Sequence, residues 1–128
     1  MDVLRNMVTA VRPGGVVLDL QVIRPDPVIE ADGRVVGRID GEPLFRWADA
    51  AVAAIDALVQ TGELVEETVD DHDVRKHYAD GRELIADFAL KERRLPEHAV
   101  PELEALDGRC LVRERCRLRR LAIPYAGR

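Results

Sequence analysis

The stretch VRPGGVVLDLQVIRP, residues 11–25, decides how the rest of the chain is read. Pro13 cannot continue a helix, and Gly14 or Gly15 can adopt the left-handed backbone that caps one. Just before it, residues 2–12 place Val3, Leu4, Met7, Val8 and Val11 at helical spacing, with Arg12 in the last turn, where it complements the helix dipole. Just after it, VVLDLQVI at 16–23 opens as a nearly continuous apolar run, the pattern of a strand covered on both faces, with Asp19 and Gln21 interrupting one face near its end. A helix therefore reverses through a glycine turn straight into a strand. RPDP at 24–27 ends that strand, because each proline fixes its own φ and pushes the preceding residue toward extended geometry.

Downstream, VIEADGRVVGRID at 28–40 holds Asp32-Gly33 between two short β-prone runs, a hairpin signal because a type I′ turn needs positive φ at both central positions. A long helix is expected from Leu44 to Gln60, with Leu44, Ala48, Ala51, Ile55 and Leu58 along one stripe joined by Trp47, Val52 and Val59; Gly62 ends it. ELVEETV at 63–69 reads as a strand and DDHD at 70–73 as the loop leaving it. Residues 81–92 read as a helix around Leu84, Ile85 and Phe88, capped by Asp80 or Gly81, and residues 94–108 as a loop with a short helix at 101–106. RCLVRERCRLRRLAIP at 109–124 alternates as a long strand, with Cys110, Val112, Cys116 and Leu118 on one side and Leu111, Arg113, Arg115 and Arg117 on the other.

At 128 residues the chain is expected to form one domain. Its 47% hydrophobic and 34% charged residues are those of a soluble globular protein, while 4% aromatics leave the core to Val, Leu, Ile and Ala. A net charge of -5 argues against general affinity for nucleic acid or anionic membranes. No apolar run approaches the ~18 residues of a membrane span, and the N-terminus lacks the order of a signal peptide, so a cytoplasmic location is expected. Cys110 and Cys116 fall in one strand, about 20 Å apart at ~3.3 Å per residue, and read as free buried thiols.

The succession of elements resembles the C-terminal half of a class I S-adenosylmethionine-dependent methyltransferase. In that family a helix ending in a PGG-type turn feeds the fifth strand, a helix and the sixth strand follow, and a long last strand pairs antiparallel between the fifth and sixth. The matching pieces are MVTAVRPGG with VVLDLQVI, ADAAVAAIDALVQTG with ELVEETV, and RCLVRERCRLRRLAIP. GRELIADFA resembles the helix that often sits between the last two strands. The resemblance implies an α/β fold: a partial Rossmann-like, mostly parallel sheet holding the equivalents of strands 5, 7 and 6 with flanking helices, plus a β-hairpin insertion. It covers nearly all of this chain and about half of the family fold.

The family's cofactor loop, an acidic residue and a Gly-x-Gly turn after the first strand, has no counterpart here. Gly14-Gly15 leads from helix into strand, whereas a phosphate or nucleoside cradle needs a strand, a glycine turn and then a helix N-terminus. The chain alone is thus expected to bind no cofactor and not to catalyse methyl transfer; S-adenosylmethionine enters only if a partner or an upstream segment completes the fold. By position, the family's substrate region corresponds to residues 24–47, and with the end of the first strand it gives a candidate cleft of Asp19, Arg24, Asp26 and Trp47.

Six acids between Glu63 and Asp73 face six arginines between Arg109 and Arg120, and the resemblance makes the two segments antiparallel neighbours. Mutual pairing then accounts for both better than a metal site or a nucleic-acid strip, since opposite charges directly across contribute ~0.2–1 kcal/mol per pair and oppose slippage of register. His72 and His77 match no metal signature and read as loop residues; His98 reads as a surface residue. The chain contains no serine, which excludes a Ser-His-Asp arrangement.

Without the family's first four strands, VVLDLQVI has one uncovered edge, an aggregation hazard that a soluble protein must cover. A homodimer, or a partner subunit on that edge, is therefore expected. Three functional readings follow: a methyltransferase-like protein that completes or regulates another subunit; a fragment or mis-started product of a complete methyltransferase; and a small-ligand-binding or oligomeric interaction module.

Overall fold

The computed structural model describes residues 13–125, so the helix expected at 2–12 lies outside the described residues. Five strands, β1 (Val16–Val22), β2 (Val28–Ala31), β3 (Arg34–Arg38), β4 (Val65–Tyr78) and β5 (Cys110–Ala122), form one mixed α/β arrangement with three α-helices among those residues. The helices are α1 (Glu42–Gln60), α2 (Gly81–Leu90) and α3 (Val100–Ala105). The chain divides into two compact units, with the boundaries falling inside β4 and β5. Unit 1 holds residues 13–22, 44–72 and 116–125; unit 2 holds residues 23–43 and 73–115.

In unit 1, β1 runs antiparallel to β5 from Val16↔Ala122 to Val22↔Cys116. The pairing continues into the glycine turn, where the Gly14 amide donates to the Ile123 carbonyl at 2.7 Å and the Ile123 amide to the Gly15 carbonyl at 2.9 Å. Gly14 takes φ +83°, a backbone conformation that favours glycine, and a Cβ there would push aside the exposed Tyr125 ring. The core is Val17, Ile55, Leu58, Leu64 and Leu121, with Val59 and Ile123 packed against it.

The stripe of α1 differs from the sequence reading at its first turn. Phe45 is buried with Ala48, Ile55 and Leu58, whereas Trp47 is 79% exposed. Helical periodicity puts Phe45 and Trp47 on opposite margins of the stripe, so burying one ring leaves the other outside. The expectation that β1 is covered on both faces also fails: Val17 is buried, but Val16, Leu18 and Leu20 are exposed at 37%, 60% and 55%.

In unit 2, β2 and β3 form the expected hairpin, with Asp32 at φ 53° and Gly33 at φ 75°. Its register shifts after Ile29↔Gly37 to Glu30↔Val35, and the extra residue lets Val36 and Gly37 both be buried. β2 then pairs antiparallel with β5, Val28↔Arg113 through Ala31↔Cys110. Ile29, Ala31, Val36, Cys110 and Val112 share a core with Leu84 and Phe88 of α2 and Leu103 of α3. Asp80 caps α2 by accepting from the Glu83 amide at 2.9 Å. A Cβ on Gly81 would come within 1.9 Å of the Leu103 carbonyl oxygen, so glycine is what lets α2 start against α3.

Two further differences concern the long strands. β4 extends to Tyr78, so DDHD is strand and not loop. The buried positions of β5 change parity: Cys110, Val112 and Cys116 are followed by Arg119 and Leu121, and Leu118 falls outside the buried set. β4 and β1 both pair with β5, which lies between them in unit 1. Each register ladder described is antiparallel; for β1 with β5 that is the pairing expected of a last strand lying between the fifth and sixth, and no parallel ladder is among those described. The reason is the interposed β5, which keeps β1 and β4 from pairing with each other.

Candidate functional site

Alternation along β2, β3 and β5 sends one set of side chains into the core of unit 2 and the other set to the opposite face of the sheet. Val28 has Arg38 as its register partner on β3 and Arg113 as its partner on β5, so these three form one row across that face. Val35, opposite Glu30, and Arg115, two residues after Arg113, belong to the same face. The row frames a pocket of about 180 Å³, with Pro25 and Asp26 contributed by the segment before β2 and Asp73 by β4.

The electrostatics of this pocket are uneven. Glu30 accepts from Arg113 Nε at 2.8 Å and holds its Nη2 at 2.8 Å. Asp73 accepts from Arg115 Nη1 at 3.2 Å and lies 3.8 Å from Arg113 Nη1. Asp26 Oδ1 accepts from the Gly41 amide at 3.0 Å, tying the RPDP segment to the start of α1. Arg38 has no carboxylate partner among the described residues. A fixed guanidinium fork with unused donors is suited to a planar anion.

The four residues of the sequence-derived cleft are distributed over both units. Arg24 and Asp26 belong to unit 2, where Arg24 pairs with Glu42 at 3.4 Å and Asp26 lines the arginine pocket. Asp19 and Trp47 belong to unit 1. Gln21 Nε2 donates to Asp19 Oδ1 at 2.7 Å, while Asp19 Oδ2 is buried without a hydrogen-bond partner. Sequence reasoning missed Arg38: an unbulged Asp32-Gly33 hairpin would set Gly37 opposite Val28, and only the register shift at Ile29/Glu30 brings Arg38 there.

A second polar cluster in unit 2 centres on Asp87 of α2. Its Oδ2 accepts from Tyr78 Oη at 2.5 Å, Lys91 Nζ at 3.0 Å and Lys76 Nζ at 3.2 Å. The Tyr78 hydrogen bond, followed by that from Lys91, holds the Asp87 carboxyl well below the usual carboxylate range. Burial, and then the hydrogen bond to Asp87, pushes the Tyr78 phenol well above its ordinary value. Nearby, Arg93 pairs with Glu114 at 3.0 Å and lies 4.8 Å from the Phe88 ring centroid. Each of these groups has a partner, although Arg93 Nη2 is buried without one, and the contacts tie α2 to the sheet.

The acidic and arginine-rich segments pair as expected. In unit 1, Arg117 makes a bidentate contact with Asp71 at 2.7 and 2.9 Å, and Arg120 Nε donates to Glu67 at 2.8 Å. Arg119, only 6% exposed, is held by Glu66 at 2.6 Å and Asp56 at 2.9 Å. Arg117 thus meets Asp71, while Arg119 and Arg120, further along β5, meet the earlier β4 residues Glu66 and Glu67, in keeping with antiparallel strands.

His72 and His77 lie on β4, and His72 Nδ1 is 2.9 Å from Asp70 Oδ2. Cys110 and Cys116 are free and buried. Burial pushes the Cys110 thiol up, and its Sγ donates to the Asp80 carbonyl at 3.5 Å. Such a thiol is a poor nucleophile. No group of three His, Cys, Asp or Glu able to hold a metal occurs among the described residues. No described helix is long and apolar enough to cross a membrane. No protein-family model matches the chain, and no curated protein or solved structure matches it.

Proposed function

We propose that this chain is a methyltransferase-like assembly module that is not catalytic by itself and associates with a second copy of itself through β1. The observation that carries the proposal is the exposed apolar row of Val16, Leu18 and Leu20 on β1, which has β5 on one edge and no strand on the other among the described residues. A row of uncharged side chains is self-complementary across a two-fold axis, and two such edges can pair antiparallel to satisfy their free backbone groups. The Rossmann-like reading rests on β1 and β4 both pairing with β5, with the β2–β3 hairpin and α1 between β1 and β4 along the chain, as the resemblance implies for strands 5, 7 and 6.

The noncatalytic reading rests on where the glycines with positive φ lie. Gly14 leads into a strand, Gly33 sits in a hairpin and Gly62 follows the end of α1, so none of them opens a helix after a strand. Gly41 and Gly81 do stand between a strand and a helix, but the Gly41 amide donates to Asp26 Oδ1 and the Gly81 amide to the Leu106 carbonyl, so neither offers a free amide cradle for a nucleoside cofactor. S-adenosylmethionine binding then belongs to an assembly in which another segment or subunit completes the fold.

Two measurements test the reading. Light scattering coupled to size exclusion should give twice the chain mass, falling to the chain mass on Leu18→Lys with Leu20→Lys. Thermal unfolding with S-adenosylmethionine should show no shift for this chain alone, whereas a ligand at 100 times its dissociation constant would stabilise by ~2.7 kcal/mol. A monomeric wild-type protein, or a clear shift with the cofactor, contradicts the proposal.

A further inference from the structure

The arginine pocket of unit 2 has a composition that self-association does not explain. Its walls combine apolar surface from Pro25, Val28 and Val35 with three guanidinium groups, two of which already hold carboxylates of this chain. Arg113 is paired with Glu30 and Arg115 with Asp73, and each pair holds its arginine in place on the strand. Arg38 faces the same volume with no acid to meet it among the described residues. Its register partner is Val28, 6% exposed, so an apolar floor lies directly beside the free cation. A free guanidinium beside an apolar floor suits a molecule that is anionic at one end and apolar at the other.

We propose that this pocket binds a small organic carboxylate, with the Arg38 fork taking both carboxylate oxygens and Val28, Val35 and Pro25 contacting the apolar body. The volume of about 180 Å³ limits the body to the size of a single six-membered ring, since a cavity of ~150 Å³ admits benzene. Asp26 and Asp73 on the rim disfavour larger polyanions through like-charge repulsion, which sets a monocarboxylate apart from a di- or triphosphate. Asp26 is anchored by the Gly41 amide, so the rim is fixed before a ligand arrives.

The test uses the isotope-labelled full chain and benzoate as the probe, read by amide chemical-shift perturbation. Benzoate should perturb residues 25–28, 35–38 and 113–115 in a saturable manner, whereas benzyl alcohol and sodium chloride at matched ionic strength should not. Arg38→Gln should weaken benzoate binding by about tenfold or more, and Arg38→Lys by less, because lysine keeps the charge but loses the planar fork. Arg38 is exposed and has no partner to orphan among the described residues, so without ligand both variants should change amide shifts only at residues next to position 38. No saturable perturbation by benzoate, equal perturbation by benzyl alcohol, or unchanged affinity in Arg38→Gln would overturn the proposal. None of these outcomes depends on whether the chain dimerises.

Discussion

In unit 1, the residues of β1 that alternate with buried Val17 are Val16, Leu18 and Leu20; in unit 2, the residues that alternate with the core positions of β2 and β3 include Glu30, Val35 and Arg38. Both units bury one face of their sheet under helices. What they leave uncovered differs in kind. An exposed apolar row gains by excluding water against a second apolar surface, whereas a row of arginines around a small hollow gains by pairing with an anion. On the proposed readings, the same alternating pattern suits one unit to a macromolecular contact and the other to a small molecule.

The largest effects should come from the buried faces, where the units behave alike. Phe88→Ala in unit 2 is expected to cost ~3–5 kcal/mol and Leu121→Ala in unit 1 ~2–5 kcal/mol, read from urea unfolding. Each is a large share of the ~5–15 kcal/mol that holds an ordinary domain together. A loss below ~1 kcal/mol at either site would mean that the corresponding core is not packed as described.

Next in size is the response to acid. Because the folded state holds the Asp87 carboxyl below its ordinary value, its contribution is fully present above the unfolded value of ~3.9 and is lost as pH falls through that value toward the lower folded one. Asp87→Asn should remove this contribution and flatten the acid limb of the stability curve, while Asn still accepts from the Tyr78 hydroxyl. An unchanged acid limb would show that the Tyr78 and lysine contacts are not maintained in solution.

The uncovered faces should show small effects on stability. Leu18→Lys with Leu20→Lys should leave the unfolding free energy of the monomer within ~0.5 kcal/mol while abolishing self-association. Arg117→Gln removes an exposed bidentate pair and should cost only ~0.2–1 kcal/mol, decreasing with added salt. A loss of several kcal/mol there would show that the β4–β5 ladder is a main source of stability as well as of register.

Much of the chain's local structure was legible in the sequence. Asp32-Gly33 specifies its turn through the backbone both residues must adopt, and Asp80 marks a helix start by the hydrogen bond it offers. Residues 70–73 read as a loop because Asp71 and Asp73 look solvated until their partners Arg113, Arg115 and Arg117 are in place; strand propensity depends on the neighbour across the ladder. The change of buried parity within β5 was invisible for a related reason: a single alternating pattern was read across residues that belong to two different cores. Arg38 escaped notice because an arginine without an acid partner has no local signature. Its meaning comes from Val28 and Arg113, which sequence separation hides and strand register reveals.

The central claim is that the exposed row on β1 is an association surface, and sedimentation equilibrium of the wild-type chain beside the Leu18→Lys, Leu20→Lys variant tests it most directly. At tens of micromolar, the wild type should sediment at twice the chain mass and the variant at the chain mass, with equal helix and strand content by circular dichroism. A wild type that sediments at the chain mass across that range, or a variant that remains associated, would contradict the account.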